Sequence, residues 1–371
     1  MGIDPVLRAL ALTMPAASRG RYLEQWRADA AGAGDAGLRR GDVVRGALAV
    51  ALTTDRDAPA LTGEPRGAAP RRLSRRGVAV LAAAGVVFAA LWLTGGRSPE
   101  AAMRLAPALT AGVGAARLVL EVLAGCGAVL AAMYFVGAAV VARRVLARIA
   151  FGSVAVGLAM LLVATAVPEA AAAAVGLVAA GTTVGLAAAW RSAPLELAPR
   201  SAPLRRRGPL AVLGVAAVAS LLALGAVDTL VWNPAAKVPG VAIGEIYDEM
   251  IAADGFSPAF AVAHVAAWAA IWLLASLFVA VFALSPAGAW LTPRRLGILF
   301  LTIVGAALFF RLFAGFSIGM SLADTFATSG ADESPLSLVL QLVGPLGVAA
   351  AAILFGWAPS VHERAEPAAT A

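Results

Sequence analysis

The sequence predicts an all-α integral membrane protein: a bundle of about eight transmembrane helices with a small helical cytosolic module at the N-terminus. Of its 371 residues, 61% are hydrophobic and only 14% are charged, whereas a soluble protein is about one-quarter charged. The apolar residues fall in runs close to the roughly 20 residues that cross a hydrocarbon core. Helices are the expected backbone, because an open sheet would leave unpaired polar groups in lipid.

Residues 1–76 are polar enough to form a cytosolic N-terminal module that ends in a basic linker. The sequence predicts one short helix over Arg21–Ala31 and a second over Leu38–Leu52. Three apolar side chains form one stripe of the second helix: Val44, Leu48 and Leu52. Because this helix is too short and too charged to span a bilayer, we expect it to lie on the cytoplasmic membrane surface.

The remaining apolar runs predict the membrane domain. The predicted spans are Gly77–Thr94, Leu118–Ala142, Ile149–Val167, Ala170–Trp190, Pro209–Val231, Ala259–Leu284, Leu296–Met320 and Pro335–Ala358. A basic cytoplasmic loop, residues 191–208, separates four helices within residues 77–190 from four within residues 209–359. Residues 360–371 are predicted to form a cytoplasmic tail.

Charge in the loops predicts the orientation. Arginine-rich loops alternate with acidic ones along the chain, the basic examples being Arg143–Arg148 and Arg205–Arg207 and the acidic ones Glu245–Asp254 and Asp332–Glu333. By the positive-inside rule, both termini are expected in the cytoplasm and the protein in the cell membrane. The net charge of +7 is therefore interpreted as contact with lipid headgroups, and nucleic acid is not an expected partner.

Two segments carry a resemblance to a known group of proteins. The run Arg19–Asp29 (RGRYLEQWRAD), followed by Val44–Leu48, resembles a short cytosolic module that precedes many actinobacterial multi-pass membrane proteins, some of them permease-like. Three short runs in one outer loop are similar to the same group: Trp232–Pro234, Val238–Gly240 and Glu245–Tyr247. The resemblance implies a membrane-embedded chain with a cytosolic RYxExW-type module, and it implies no particular activity.

Several short patterns match catalytic motifs without their structural setting. Gly32–Gly37 fits G-x-G-x-x-G but follows a predicted helix, so we interpret it as a connector. Gly315–Gly319 fits G-x-S-x-G but lies in a predicted span, where glycines at this spacing, like Gly181 and Gly185, favour close helix packing. Lys237 is followed by Val238, so the chain has no P-loop lysine.

Metal and cofactor chemistry is not predicted. The chain has one cysteine, Cys126, and two histidines, and His362 in the tail lacks the second histidine of a zinc-binding helix. We expect no bound cofactor. No acid, base and nucleophile converge in the sequence, so an enzyme is the least favoured class of function.

Ionisable residues inside the predicted spans are the candidate functional residues. A polar cluster is predicted in the outer half of the bilayer from five side chains: Glu121, Asp228, His264, Arg311 and Gln341. Arg311 keeps its charge and costs a few kcal/mol near the hydrocarbon centre unless it is paired. Asp228 and Glu121 are its predicted partners, and the cluster is either a solute site or a structural salt bridge.

Two functions remain open on these observations. The first is a permease-like protein that binds or transports a small solute, with the polar cluster as its site. The second is a non-transporting scaffold or sensor whose residues 1–76 recruit a partner protein. In both cases the lipid bilayer is the expected surrounding of the helices.

Overall fold

The computed structural model describes residues 3–63, 67–93, 107–163, 175–184, 187, 202–329 and 331–357. All regular elements in these ranges are helical. Outside them lie Glu169, Trp190, Gly185, most of the basic loop 191–208 and the tail with His362. The chain divides into two compact units, residues 1–78, 131–198 and 359–371 in the first and residues 79–130 and 199–358 in the second.

The N-terminal module is a cluster of short helices. Its elements are α1 (Asp4–Leu12), α2 (Ala16–Gly32), α3 (Arg40–Thr53) and the single turn α4 (Pro59–Thr62). Leu7 of α1, Trp26 of α2 and Ala47 of α3 are buried together. An ion pair between Arg27 and Asp4, at 2.6 Å, joins the surfaces of α2 and α1. The hydrogen bond from Arg27, together with the charge of Arg8, lowers the pKa of Asp4.

Helix α3 buries two alanines and leaves two of the three residues of its apolar stripe exposed. Ala47 and Ala51 are buried, because their small side chains let the helix approach Trp26 closely. Val44 packs partly against the same core, whereas Leu48 and Leu52 of the predicted stripe are exposed. The exposed leucines remain available to a membrane surface, which stays a prediction.

The middle of the chain contains α5 (Ala68–Leu93), α6 (Pro107–Val141), α7 (Val145–Val163) and the shorter α8 (Val175–Val184). Helix α5 begins at Ala68 rather than at Gly77, so the basic residues assigned to the linker form its first turns. Within the first unit, Phe135 and Phe151 pack with their ring centroids 6.2 Å apart.

The second unit contains the longest series of packed helices. In chain order they are α9 (Leu204–Val227), a π-helical turn (Asp228–Trp232), α10 (Asn233–Lys237), α11 (Ile243–Asp254), α12 (Pro258–Leu284), a 3₁₀ turn (Pro286–Trp290), α13 (Pro293–Ala314), α14 (Phe316–Phe326) and α15 (Pro335–Gly356). The core lies between α9, α12 and α13, around Val218, Trp268 and Phe300.

Six described helical segments are long and apolar enough to cross a membrane. They are Ala68–Leu91, Ala115–Val141, Leu204–Lys237, Pro258–Leu284, Pro293–Phe326 and Pro335–Gly356. The predicted fold class, an all-α membrane bundle, is confirmed. The third and fourth predicted spans coincide with the shorter apolar helices Val145–Leu161 and Val175–Val184, and parts of both lie outside the described residues.

Two of the spanning segments are interrupted, whereas the eighth predicted span is continuous despite its internal proline. The fifth predicted span turns into a π-helix at Asp228, and the seventh breaks at Gly315, between α13 and α14. Gly315 therefore lies at a helix break and not on the continuous span that the sequence predicts. Pro345 lies inside α15, and the helix runs through it without interruption.

Candidate functional site

Arg311, in the last turn of α13, is the centre of a buried polar network. Only 6% of the residue is exposed. Its Nη1 donates to Asp228 Oδ2 at 2.9 Å, and its Nη2 donates to Asp332 Oδ2 at 2.7 Å and to Ser337 Oγ at 3.0 Å. Three segments thus meet at one guanidinium: the π turn after α9, the end of α13 and the start of α15. We call these contacts and their extensions the Arg311 network.

Asp228 is fully buried and is bonded from several sides. Besides Arg311, the hydroxyls of Ser334 and Ser337 donate short hydrogen bonds to its two carboxylate oxygens. Ser334 also caps α15, because its Oγ accepts from the backbone N–H of Ser337 at 2.9 Å. A carboxylate without water needs such donors, since an unpaired buried charge is strongly unfavourable.

Asn233 extends the network to the segment before α15. Its Nδ2 donates to Asp332 Oδ1 at 3.0 Å, and its Oδ1 accepts from the backbone N–H of Glu333 at 2.8 Å. Lys237, one turn further, is only 2% exposed and donates to the backbone oxygen of Ser329. Together these two side chains of α10 hold the segment that carries Asp332.

Small residues permit the close approach of the helices around Arg311. A side-chain Cβ at Gly225 would lie 2.9 Å from Trp268 and 3.3 Å from Arg311 Cδ. At Gly315 it would lie 2.8 Å from Thr229. The indole N–H of Trp268 donates to the carbonyl oxygen of Ala307 at 2.8 Å, which joins α12 to α13 one turn before Arg311. The network therefore sits on tightly packed helices.

A narrow cleft of about 60 Å³ opens beside the network. Its polar wall is formed by Thr229, Asn233, Arg311 and Asp332, and its other residues are Leu312, Gly315, Phe316, Ile318, Gly319 and Met320. That volume holds roughly four water molecules. Because both interrupted spanning segments contribute to it, the cleft lies where helix geometry departs from the regular α-helix.

The charges of the second unit are separated between its two ends. Eight acidic residues lie at the end that carries the cleft: Asp228, Glu245, Asp248, Glu249, Asp254, Asp324, Asp332 and Glu333. Arg311 and Lys237 are the basic residues at that end among residues 202–357. In the described part of the chain, no group of three or more histidine, cysteine or acidic side chains forms a metal centre.

The structure brings three of the five predicted cluster residues together. Asp228 and Arg311 form the predicted ion pair, and Gln341 Nε2 donates to Asp332 Oδ2 at 3.3 Å. Glu121 is not a partner of Arg311, because it pairs with Arg117 one helical turn away, at 2.9 Å on the exposed surface of α6. His264 is exposed and bonds to the carbonyl oxygen of Phe260 within its own helix.

Sequence reasoning missed four members of the network. Asp332, Ser334 and Asn233 fall in segments read as outer loops, and Ser337 falls in the first turn of a span. One signal was present: Ser334 precedes Pro335 at the start of an apolar run, the usual pattern of a helix N-cap. That pattern fixes a helix start, but it gives no reason to place Asp332 beside α13.

The acidic helix α11 lies next to this region and packs on protein. Its acids Glu245, Asp248 and Glu249 are exposed, which makes the helix amphipathic. Ile246 and Met250 are buried against α14, so the apolar face of the helix rests on its neighbour. In the same layer, burial raises the pKa of Tyr247 to about 12. Its hydroxyl therefore stays protonated and donates to the carbonyl oxygen of Leu230 at 2.8 Å.

Comparisons with known proteins assign the chain to no family. No family model matches it, and neither a curated protein nor a solved structure gives a significant match. The resemblance of Arg19–Asp29 to actinobacterial multi-pass membrane proteins stays a prediction.

Proposed function

We propose that this integral membrane protein is permease-like and binds a small cationic solute in the cleft beside the Arg311 network. The observation that carries the proposal is that Arg311 and Asp332 line an open cleft while both remain bonded within the network. A purely structural ion pair has no need of an adjoining cleft. Buried charges that border a cleft inside a membrane bundle are characteristic of solute pathways.

The charges around the cleft favour a cation. Two carboxylates, Asp228 and Asp332, surround the single guanidinium of Arg311, so the immediate site carries excess negative charge. Asp332 is 27% exposed and offers its carboxylate to a ligand, and the hydroxyl of Thr229 adds an uncharged acceptor. The acidic residues at the same end of the unit raise the local concentration of cations.

The backbone around the cleft supports transport in addition to binding. The π turn at Asp228–Trp232 and the break at Gly315 face the same cleft. Transporters commonly bind solutes where spanning helices are interrupted, because interrupted backbone supplies polar groups and a hinge. A conformational change at either interruption would alter the width of the cleft.

The cation site predicts a specific pattern of stabilisation. We expect one or more small cations, tested as a panel of alkali-metal ions and small alkylammonium ions, to raise the melting temperature of the purified protein, because a ligand at 100 times its Kd stabilises the folded state by about 2.7 kcal/mol. Asp332→Asn should abolish the effect. The matched control, Asp324→Asn, removes an exposed acid of α14 and should retain it. The absence of any cation effect, or an equal effect in both variants, would contradict the site.

We further propose that the cleft faces the outside of the cell membrane and that both termini are cytoplasmic. The positive-inside rule supports this orientation, because the opposite end of the unit carries Arg205–Arg207, Arg294 and Arg295.

Reporter fusions test the orientation. Fusions after Gly255 and Ser329 should report an outside location, and fusions after Arg207 and Arg364 should report an inside location. The complementary use of a reporter active only outside and one active only inside removes ambiguity from poor expression. An outside location at Arg207 would contradict the eight-span topology.

The second candidate function, a membrane scaffold or sensor, rests on the N-terminal module. Leu7, Trp26 and Ala47 form a core within the module itself, so its fold does not depend on membrane helices for burial. Exposed Leu48 and Leu52 lie on α3 together with the exposed Arg45. Such a surface suits weak contact with an anionic membrane or with an acidic partner protein.

A fragment of residues 1–70 tests this module. We expect the fragment to be soluble and to bind vesicles that contain anionic lipid, with binding lost at high salt because the attraction is electrostatic. Leu48→Ser/Leu52→Ser should weaken binding, whereas a change at the exposed Leu12 of α1 serves as the control. A fragment that stays in membranes after a high-salt wash would show that part of it inserts.

A further inference from the structure

Arg207, in the first turn of α9, is a buried cation without a protein partner in the described part of the chain. Only 6% of the residue is exposed, and its Nε and Nη1 are enclosed without a hydrogen-bond acceptor. Arginine does not lose its proton in proteins. A buried guanidinium that lacks an acceptor is strongly unfavourable, and no described residue supplies one, so a further group is needed to bond it.

Among the described residues, no acidic side chain is available at this end of the second unit. Helices α12, α13 and α15 contain no aspartate or glutamate, and α9 contains none either. The backbone N–H of Ala202 donates to the carbonyl oxygen of Ala289 at 2.9 Å, which places the start of α9 beside the turn before α13. The arginines there are already engaged, since Arg294 donates to the carbonyl oxygens at the end of α15 and Arg295 to that of Trp290 at 2.6 Å.

The start of α9 has the charge pattern of an anion site. Its N-cap, Pro203, supplies no side-chain acceptor, and its first turn contains no acid. Arg205 and Arg206 precede Arg207 in that turn and are exposed. Cations are disfavoured at the positive end of a helix dipole, where unpaired backbone N–H groups attract anions. An anion beside these three arginines would offset their unfavourable interaction with the helix dipole.

We propose that Arg207 and the N-terminus of α9 bind the phosphate group of an anionic phospholipid. The apolar part of α9 begins directly after Arg207, at Pro209, so the guanidinium lies at the depth of lipid headgroups when the segment spans a bilayer. A phosphate matches the fork of guanidinium donors, and the exposed Arg205 and Arg206 add positive charge beside it. The site is at the opposite end of the unit from the Arg311 cleft and does not depend on the function proposed there.

Lipid titration of the purified full chain tests the proposal. Binding of phosphatidylglycerol and of phosphatidylcholine is measured by native mass spectrometry in mild detergent. We expect a clear preference for phosphatidylglycerol. Arg207→Gln should weaken the binding of phosphatidylglycerol at least tenfold, because it removes charge-assisted hydrogen bonds. Arg205→Gln makes the same charge change at an exposed position and should weaken the binding of phosphatidylglycerol no more than about fivefold.

Two further arms identify the source of the phosphate and protect against misfolding. If inorganic phosphate displaces phosphatidylglycerol, or binds although the lipid does not bind, free phosphate is identified as a ligand of the Arg207 site. If Arg207→Gln does not fold, Arg207→Lys takes its place in the test. This variant keeps the positive charge but lacks the fork of guanidinium donors, so it should bind phosphatidylglycerol with intermediate affinity. Equal binding of both lipids without any effect of inorganic phosphate, or equal losses in Arg207→Gln and Arg205→Gln, would overturn the proposal.

Discussion

Arg311→Leu is expected to lower the free energy of unfolding by about 3–5 kcal/mol, the usual cost of breaking a buried ion pair from one side. The change leaves the fully buried Asp228 with two serine hydroxyls and no counter-charge. It also removes the donor that holds Asp332 at the end of α13. Thermal unfolding in mild detergent and protein abundance in the membrane both measure the loss.

The matched control for this prediction is Arg117→Leu. Arg117 pairs with Glu121 at the same 2.9 Å distance, but 40% and 46% of the two side chains are exposed. Exposed pairs contribute about 0–1 kcal/mol, so the melting temperature of this variant should hardly change. Similar losses of stability in the two variants would show that the burial of Arg311 does not determine its contribution to the free energy of unfolding.

Gly305→Ala is expected to destabilise the contact between α13 and α15 by about 1–3 kcal/mol, the range for overpacking a filled interface. The new Cβ would lie 2.2 Å from Val348 Cγ2 and 3.0 Å from the carbonyl oxygen of Gly344. Val348 can rotate, but the backbone oxygen at Gly344 can move only with α15. Because α15 carries Ser337 and α13 carries Arg311, the same displacement loosens the Arg311 network.

Gly297→Ala is the control on the same helix. Its Cβ would meet only Leu354 Cδ1, at an ordinary 3.6 Å. The unfolding free energy should stay constant or rise slightly, because alanine favours a helix by about 1 kcal/mol over glycine. Equal behaviour of the two variants would contradict the close approach of α13 and α15.

The fold class could be predicted because it follows from the local sequence. The central ion pair could be predicted because an unpaired charge inside a membrane span is strongly unfavourable. Apolar runs of spanning length leave a helix as the only suitable backbone. A permanent charge in the apolar run around Arg311 requires an acid, and Asp228 was one of two candidates inside spans. Choosing between Asp228 and Glu121 needed the packing of the helices, because Arg117, one turn from Glu121, had not been considered as its partner.

The rest of the network could not be predicted because it depends on contacts between distant residues. Asn233 and Asp332 belong to different outer segments, and only the docking of one on the other brings their side chains to 3.0 Å. The π turn at Asp228 could not be predicted either, since its sequence reads as an ordinary apolar helix. The buried alanines of α3 were not recognised for a related reason: alanines pack closely without contributing much to an apolar stripe.

The double-mutant cycle of Arg311 and Asp228 tests the central claim, that these two residues form a buried pair on which the bundle depends. Unfolding free energies are measured for the natural protein, Arg311→Leu, Asp228→Asn and the double variant. We expect each single change to be costly, and the double variant to recover part of the loss, with a coupling of about 2 kcal/mol or more. Asp332 does not prevent the recovery, because it is partly exposed and can be hydrated. Additive losses, with no recovery in the double variant, would contradict the pair.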